Sequence, residues 1–324
     1  MNIKELIASW AKKPKNNMDI TKYPHIIDVQ YKGVKLVKPY CNFSNPSILY
    51  SPEEDIFYVC LRATNYTLKG KPTKCTPHYS KNFYTQNWIG KTKDPMVEPE
   101  QWKPVIDLER KFYSDKIGLE DVRLVRWKGK MYISGTRRDW NTGSMGRIQL
   151  SHIEEKAECW QEVNFKQWEG TVNDCLDVEK NWAPVIDKPL HYMVSNNPLC
   201  LIQANPNDLK IKAIKGDTRF AGCNMSGCLR GSSQVIPYDG GYFSIIHYST
   251  VDKIGQHHYF HRVAWYPKDF STVRFSDDFV FDDKTPIQFS CGAALKNDMV
   301  YISYSIMDSK PHILSIPIGD LARL

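Results

Sequence analysis

The strongest constraint in this sequence is a pattern that returns five times: a polar cluster, an apolar strand of about four residues, a short turn, then a strand carrying Tyr or Phe. Asn45, Pro46 and Ser47 lead into ILY, the turn SPEED and the strand IFYVCLR. Glu120, Asp121, Val122 and Arg123 lead into LVRW, KGK and MYISGTR. Lys180, Asn181 and Trp182 precede APVI, DKP and LHYMVS, and Arg230, Gly231, Ser232, Ser233 and Gln234 precede VIPY, DGG and YFSIIHYS. The last copy runs from Phe289, Ser290, Cys291 and Gly292 through AAL and KND to MVYISYS. Copies start about 50 to 75 residues apart, a four-stranded blade plus loops. Radial repetition of such units predicts an all-β, five-bladed β-propeller in which each first strand lies innermost. The polar clusters then converge at one mouth of the central channel. A two-sheet sandwich with repeated hairpins is the competing arrangement.

Helical periodicity is confined to Ile3, Leu6, Ile7 and Trp10, ahead of the Lys12, Lys13, Pro14 break. The expected organisation is an N-terminal extension with a short helix over 1–38 and a propeller over 39–324. No Gly/Ser-rich linker divides the chain. At 324 residues it is long enough for one large core. Lys69 to Lys74 and Lys91 to Lys93 are read as solvated charges in loops between the first two copies.

Composition narrows the partners. The net charge is +7, which suits phosphates, nucleotide sugars, nucleic acid or lipid headgroups without choosing among them. No apolar run reaches the roughly 18 residues of a membrane span, and the opening residues lack a signal-peptide centre. Nine cysteines without a secretion signal read as reduced thiols, so cytoplasmic residence is expected. The tightest pair, Cys223 and Cys228, has no second pair to complete a zinc site, and no compact Asp-x-Asp offers to hold a divalent cation. No metal or cofactor is expected.

Asp121 is the sharpest candidate for chemistry. It starts an inner strand beside Glu120, and alternation places it on one side with Arg123. A carboxyl there can protonate a leaving oxygen or take a proton from an acceptor hydroxyl. Arg62, Arg137, Arg138 and Arg230 fall at strand ends that converge on the same mouth, where guanidinium forks bind phosphate bidentately. His247 ends a strand, and His261 shares a face with Tyr259 on the next. Asn45, Lys180, Asn181 and Gln234 complete the polar clusters, and Trp182 offers a face for a sugar ring or for blade packing.

Taken together, GLEDVR, EKNW, RGSSQVIPYDGGYFSIIH, YFHR and FSCGAAL resemble the five-bladed propeller enzymes of the β-mannoside phosphorylase class and their glycosyltransferase relatives, over about residues 40 to 310. The resemblance implies that Asp121 is the general acid, as in the family's Glu-Asp-Pro-Arg motif, and that Asn45 and Arg62 line the sugar or phosphate site. Lys180, Arg230 and His247 join them from later blades, and Asp308 in SIMDSK corresponds to a late family Asp. Val122 stands where Pro is usual, and EKNW and HYFHR look more like the transferase relatives.

The expected function is therefore a glycosyltransferase moving a hexosyl group, mannosyl by analogy, from a phosphate-activated donor to a hydroxyl acceptor with inversion. Its alternative is a glycoside phosphorylase cleaving a β-mannoside with inorganic phosphate. A third class is a non-catalytic propeller that binds glycan or nucleic acid. Inverting hydrolysis needs a separate acid and base, whereas one Asp with a basic mouth suits transfer to or from phosphate. A nucleic acid acceptor would add a steep salt dependence.

Overall fold

The computed structural model describes residues 18–19, 26–28, 40–78, 80–108, 115–139, 146–168, 180–207, 210–216 and 228–324. Strands follow one another as antiparallel meanders, the arrangement expected of short β-branched and aromatic runs separated by turn residues. Blade 1 contains Asn42–Ser51, Ile56–Thr64, Phe83–Thr92 and Trp102–Ile106. Blade 2 contains Leu119–Trp127, Lys130–Arg137, Arg147–Glu155 and Trp160–Gln167. Blade 3 runs from Ala183–Pro184 through His191–Asn196 and Leu199–Ala204 to Ile211–Lys215. In blade 4 a broken inner strand, Arg230–Gly231 and Ile236–Tyr238, pairs with Gly241–Val251, followed by His257–Pro267 and the short pieces Arg274–Phe275 and Phe279–Val280. Blade 5 contains Gln288–Lys296, Met299–Ile306 and Lys310–Pro317.

The apolar clusters decide between propeller and sandwich. Tyr58, Ile89 and Leu119 belong to a core between blades 1 and 2; Val125, Trp127, Trp182 and Tyr192 to one between blades 2 and 3. Met193, Val235 and Ile246 join blades 3 and 4, Phe243, Ile245, Val300 and Ile302 join blades 4 and 5, and Phe57, Val59, Ala294 and Ile313 join blades 5 and 1. Each blade is thus buried on both faces against its two neighbours, and the five contacts close a ring. A two-layer sandwich would have one core.

Two short strands from the segment read as an extension enter the ring. Met18–Asp19 runs parallel to Phe279–Val280 in blade 4, and Ile26–Asp28 adds an outer strand to blade 5 opposite His312–Leu314. The expected helix at Ile3 to Trp10 lies outside the described residues. Among the described residues Cys41, Cys60, Cys75, Cys159 and Cys291 are free thiols, but Cys228 is disulfide-bonded, so the reading of every cysteine as a reduced thiol fails there. No helix among the described residues is long and apolar enough to cross a membrane.

Candidate active site

The inner strands share a local device that explains their polar starts. In blade 1 the ladder slips between Ser44 and Ser47, and in blade 2 between Glu120 and Arg123. At these bulges Asn45 has φ 43° and Asp121 has φ 50°; Asn181, in front of the blade 3 inner strand, has φ 63°. Left-handed backbone is tolerated best by Asn and Asp after Gly. All three residues line one cleft of about 340 Å³ at the channel mouth. The bulge also overturns simple alternation: Glu120 and Asp121 both line the cleft, whereas Arg123 lies beneath it.

Asp121 is clamped. Its Oδ1 accepts from Asn45 Nδ2 and from Arg62 Nη1, each at 2.8 Å. Arg62 is itself aimed by its Nε–H bond to Thr85 Oγ1 at 2.8 Å, and it stands 3.7 Å from Glu120. Burial pushes the Asp121 carboxyl up, but Arg62, Arg123, the Asn45 amide and Lys180 together hold it below the usual carboxylate range. Asp308 has the opposite fate. It also has left-handed backbone, at φ 46°, and accepts a hydrogen bond from Tyr66 Oη at 3.0 Å. Burial, reinforced by the negative Asp121 and Glu120, pushes its carboxyl up despite Arg62 and Tyr66. The cleft therefore contains one carboxyl held ionised and one that keeps its proton to higher pH.

Cations come from blades 2, 3 and 4. Arg138, Lys180 and Arg230 line the cleft with His247. Lys180 is half-buried and makes no ion pair or hydrogen bond among the described residues; burial first, and then Arg230, push its ammonium down to about 8. His247, opposite Arg230 in the ladder, is held well below its ordinary value by burial and by Arg230, so the imidazole is neutral. Its Nδ1 meets Ser232 Oγ at 2.8 Å, and its ring stacks on Tyr259 at 5.9 Å.

Of the residues singled out in the sequence, Asn45, Arg62, Glu120, Asp121, Arg138, Lys180, Asn181, Arg230, His247 and Asp308 meet in the cleft. Five do not line it. Arg123 is 1% exposed and holds the floor: it donates to the carbonyls of Asp121 at 2.6 Å and Ser232 at 2.9 Å, and to Asn181 Oδ1 at 3.1 Å. Gln234 is an axial staple whose Nε2 donates to the carbonyls of Ile48 and Leu124 and whose Oε1 accepts from Ala293 N–H, tying blade 4 to blades 1, 2 and 5. Trp182 is 1% exposed in the core between blades 2 and 3, which settles its reading as blade packing rather than a sugar platform. His261 is fully buried against Phe279 and Phe281, deeper on the strand than Tyr259. Arg137 faces Asp139 and Asp107 instead of the cleft.

Other cleft residues were not legible as site residues. Tyr66, Leu68, Thr73 and Cys75 line the cleft from a hairpin, Tyr66–Lys69 paired with Lys74–Pro77, inserted between the second and third strands of blade 1. The insertion stands outside the repeat, so no register argument reaches it. Its turn is fixed across the mouth to blade 4, where Thr73 N–H and Oγ1 both bond Gln256 Oε1 at 2.8 Å. Tyr259 and Phe289 were visible as neighbours of candidates, and strand parity, given the bulge positions, would have found them. Among the described residues no group of three or more His, Cys, Asp or Glu stands together as a metal site.

No family model and no curated protein matches the chain. Solved structures do match. One, from the GH130 family of mannoside phosphorylases and reported for glycoside hydrolases that target β-1,2 mannosidic linkages in Candida mannan, has a TM-score of 0.57 and 12% identity, covering 95% of each chain. A glycosyl hydrolase from Bacteroides ovatus has a TM-score of 0.56 at 11% identity, again over 95% of each chain. The β-1,2-mannobiose phosphorylase from Listeria innocua, solved with β-1,2-mannobiose, has a TM-score of 0.54 at 10% identity, over 97% of this chain and 96% of that one. The chain therefore has the fold of the mannoside phosphorylases and glycosidases, a five-bladed propeller.

Proposed function

We propose that this protein is a glycoside phosphorylase of β-mannosides, exchanging a glycosidic bond for a bond to inorganic phosphate with inversion. Of the two transfer chemistries expected from the sequence, phosphorolysis is the better supported, because the fold is shared with enzymes whose names specify mannoside phosphorolysis or hydrolysis. The observation that carries the reading is the division of the cleft. Asp121, Asn45, Arg62 and Asp308 come from blades 1, 2 and 5, and Arg138, Lys180 and Arg230 from blades 2, 3 and 4.

In this reading phosphate enters against Lys180, Arg230 and Arg138, where a half-buried ammonium and two guanidiniums compensate its charge. A phosphate oxygen attacks the anomeric carbon, the bond to the leaving oxygen breaks, and Asp121 delivers a proton to that oxygen. The cations around Asp121 hold its carboxyl below the ordinary value, so it must first gain that proton. The incoming anion offsets the cations that hold its carboxyl down, and the cleft also holds Asp308, whose carboxyl is shifted up by burial. Run in reverse, ionised Asp121 is the base that takes the proton of an acceptor hydroxyl while a sugar 1-phosphate supplies the glycosyl group. An inverting hydrolase would need a base beside a water; Glu120 lies between Arg62 and Arg138, each at 3.7 Å, and burial pushes the Asp308 carboxyl up from its ordinary value.

The test is incubation with β-1,2-mannobiose in three conditions: inorganic phosphate, no phosphate, and a nucleotide-sugar donor with mannose as acceptor. Mannose 1-phosphate formed only with phosphate supports the reading. Free mannose formed equally without phosphate makes the protein a hydrolase, and consumption of the nucleotide sugar alone makes it the transferase.

A further inference from the structure

A second cavity, of about 300 Å³, lies between blades 2 and 3 and is lined by Trp127, Lys128, Lys130, Tyr132, Leu150, His152, Asn164, Phe165, Lys166, Pro189, Leu190 and Pro206. Lys128 is seven residues along the inner strand from Asp121, so the cavity opens roughly 20 Å from the cleft, at the opposite end of the blades. Its chemistry also differs. The half-buried Tyr132 ring lies between Trp127, at 5.8 Å, and His152, at 5.3 Å. Leu150, Leu190 and two prolines extend this apolar wall.

Three lysines, Lys128, Lys130 and Lys166, rim the wall; none of their side chains makes an ion pair or hydrogen bond among the described residues, and Glu154 is a carboxylate whose charge interacts with Lys130. No carboxylate is among the described lining residues. His152 adds no charge of its own near neutral pH, because burial and Lys130 hold its imidazole below the ordinary value. A wall of aromatic rings beside three ammoniums, none of them ion-paired among the described residues, is complementary to a ligand with a ring at one end and a multiply charged anion at the other. Inorganic phosphate would leave the aromatic wall unused, and a neutral sugar would leave the lysines unused.

We propose that this cavity is a binding site for a nucleoside diphosphate, with the base stacked against Tyr132 and the phosphates held by Lys128, Lys130 and Lys166. The site is independent of the phosphorylase reading, since its ligand need not react. Calorimetric titration of the full chain with ADP, adenosine and inorganic pyrophosphate is the test. ADP should bind at least tenfold tighter than either fragment. Charge reversal at the solvent-exposed Lys130, as Lys130→Glu, should weaken ADP at least tenfold and flatten its salt dependence, and Tyr132→Ala should bring ADP to the level of pyrophosphate. Should Tyr132→Ala fail to fold, Lys130→Glu and Lys166→Glu carry the test. Lys180→Ala, in the distant cleft, should leave ADP affinity unchanged. Pyrophosphate binding as tightly as ADP, or ADP affinity lost in Lys180→Ala and retained in Lys130→Glu, would overturn the proposal.

Discussion

Two buried arginine–aspartate pairs, Arg62 with Asp121 and Arg137 with Asp139, look alike in the sequence and differ in everything that matters for function. Both arginines close the second strand of a blade. Arg62 stands opposite Ser44, the residue just before left-handed Asn45, whereas the residue opposite Glu120, just before left-handed Asp121, is Thr136. Thr136 is therefore the register equivalent of Arg62. Arg137, one residue on, points to the other face, and Arg138, two on, returns to the cleft.

The electrostatics follow from the placement. Asp121 has a side chain 19% exposed and sees several cations, so its carboxyl is held down. Asp139 and Arg137 are both 0% exposed, and burial keeps the Asp139 carboxyl raised even though Arg137 binds both of its oxygens. The first pair holds a carboxylate ready at a cavity; the second holds a blade together.

Variants can break this contrast. Arg137→Met strands a buried carboxyl and should cost roughly 3 kcal/mol or more of stability, read as a fall in the denaturation midpoint, with kcat per folded molecule within about twofold of the parent. Loss of turnover at unchanged stability would reverse the roles of the pairs. Arg62→Met should do the opposite: a loss of about 100-fold or more in kcat, the scale of misplacing a general acid–base group. Because Arg62 lowers the Asp121 pKa, the limb that Asp121 sets, alkaline for phosphorolysis and acid for the reverse synthesis, should move to higher pH in that variant; an unmoved limb would detach Arg62 from Asp121. Gln234→Leu, which removes the axial staple while roughly keeping volume, should cost about 2 kcal/mol through carbonyls left unpaired and leave the KM for phosphate unchanged.

The smallest effect sharpens the electrostatic half of the account. Lys180 is charged below a pKa of about 8 and loses its proton above it. The KM for phosphate should therefore stay flat to about pH 7.5 and rise by several-fold towards pH 9 as the ammonium disappears. Lys180→Arg should abolish the rise, because a guanidinium keeps its charge through this range. A KM that falls with pH would remove Lys180 from the anion site.

The propeller was legible because five polar clusters preceded five apolar strands, and each apolar strand is needed to fill one of five inter-blade cores. The clusters at Asn45, Asp121 and Asn181 were legible as polarity, but their cause was not. A β-bulge leaves no mark in alternation, so the sequence alone puts Arg123 beside Asp121 and offers Arg137 and Arg138 equally as counterparts of Arg62. Gln234 was misread because a staple across a channel and a ligand at its mouth have the same address in a repeat. Trp182 and His261 show the limit from the other side: an aromatic ring near a polar cluster fills a core as readily as it faces a substrate. The Tyr66–Pro77 hairpin escaped because it is an insertion between repeats.

The central claim is that the carboxyl of Asp121 moves the proton in a phosphate-dependent glycosyl transfer. The most direct test measures mannose 1-phosphate release from β-1,2-mannobiose by the parent and by Asp121→Asn, with thermal unfolding followed on the same samples. The account predicts phosphate-dependent release by the parent, a fall of about 10³-fold in the variant, and little change in its unfolding temperature. Release by Asp121→Asn at the parent's rate would contradict it.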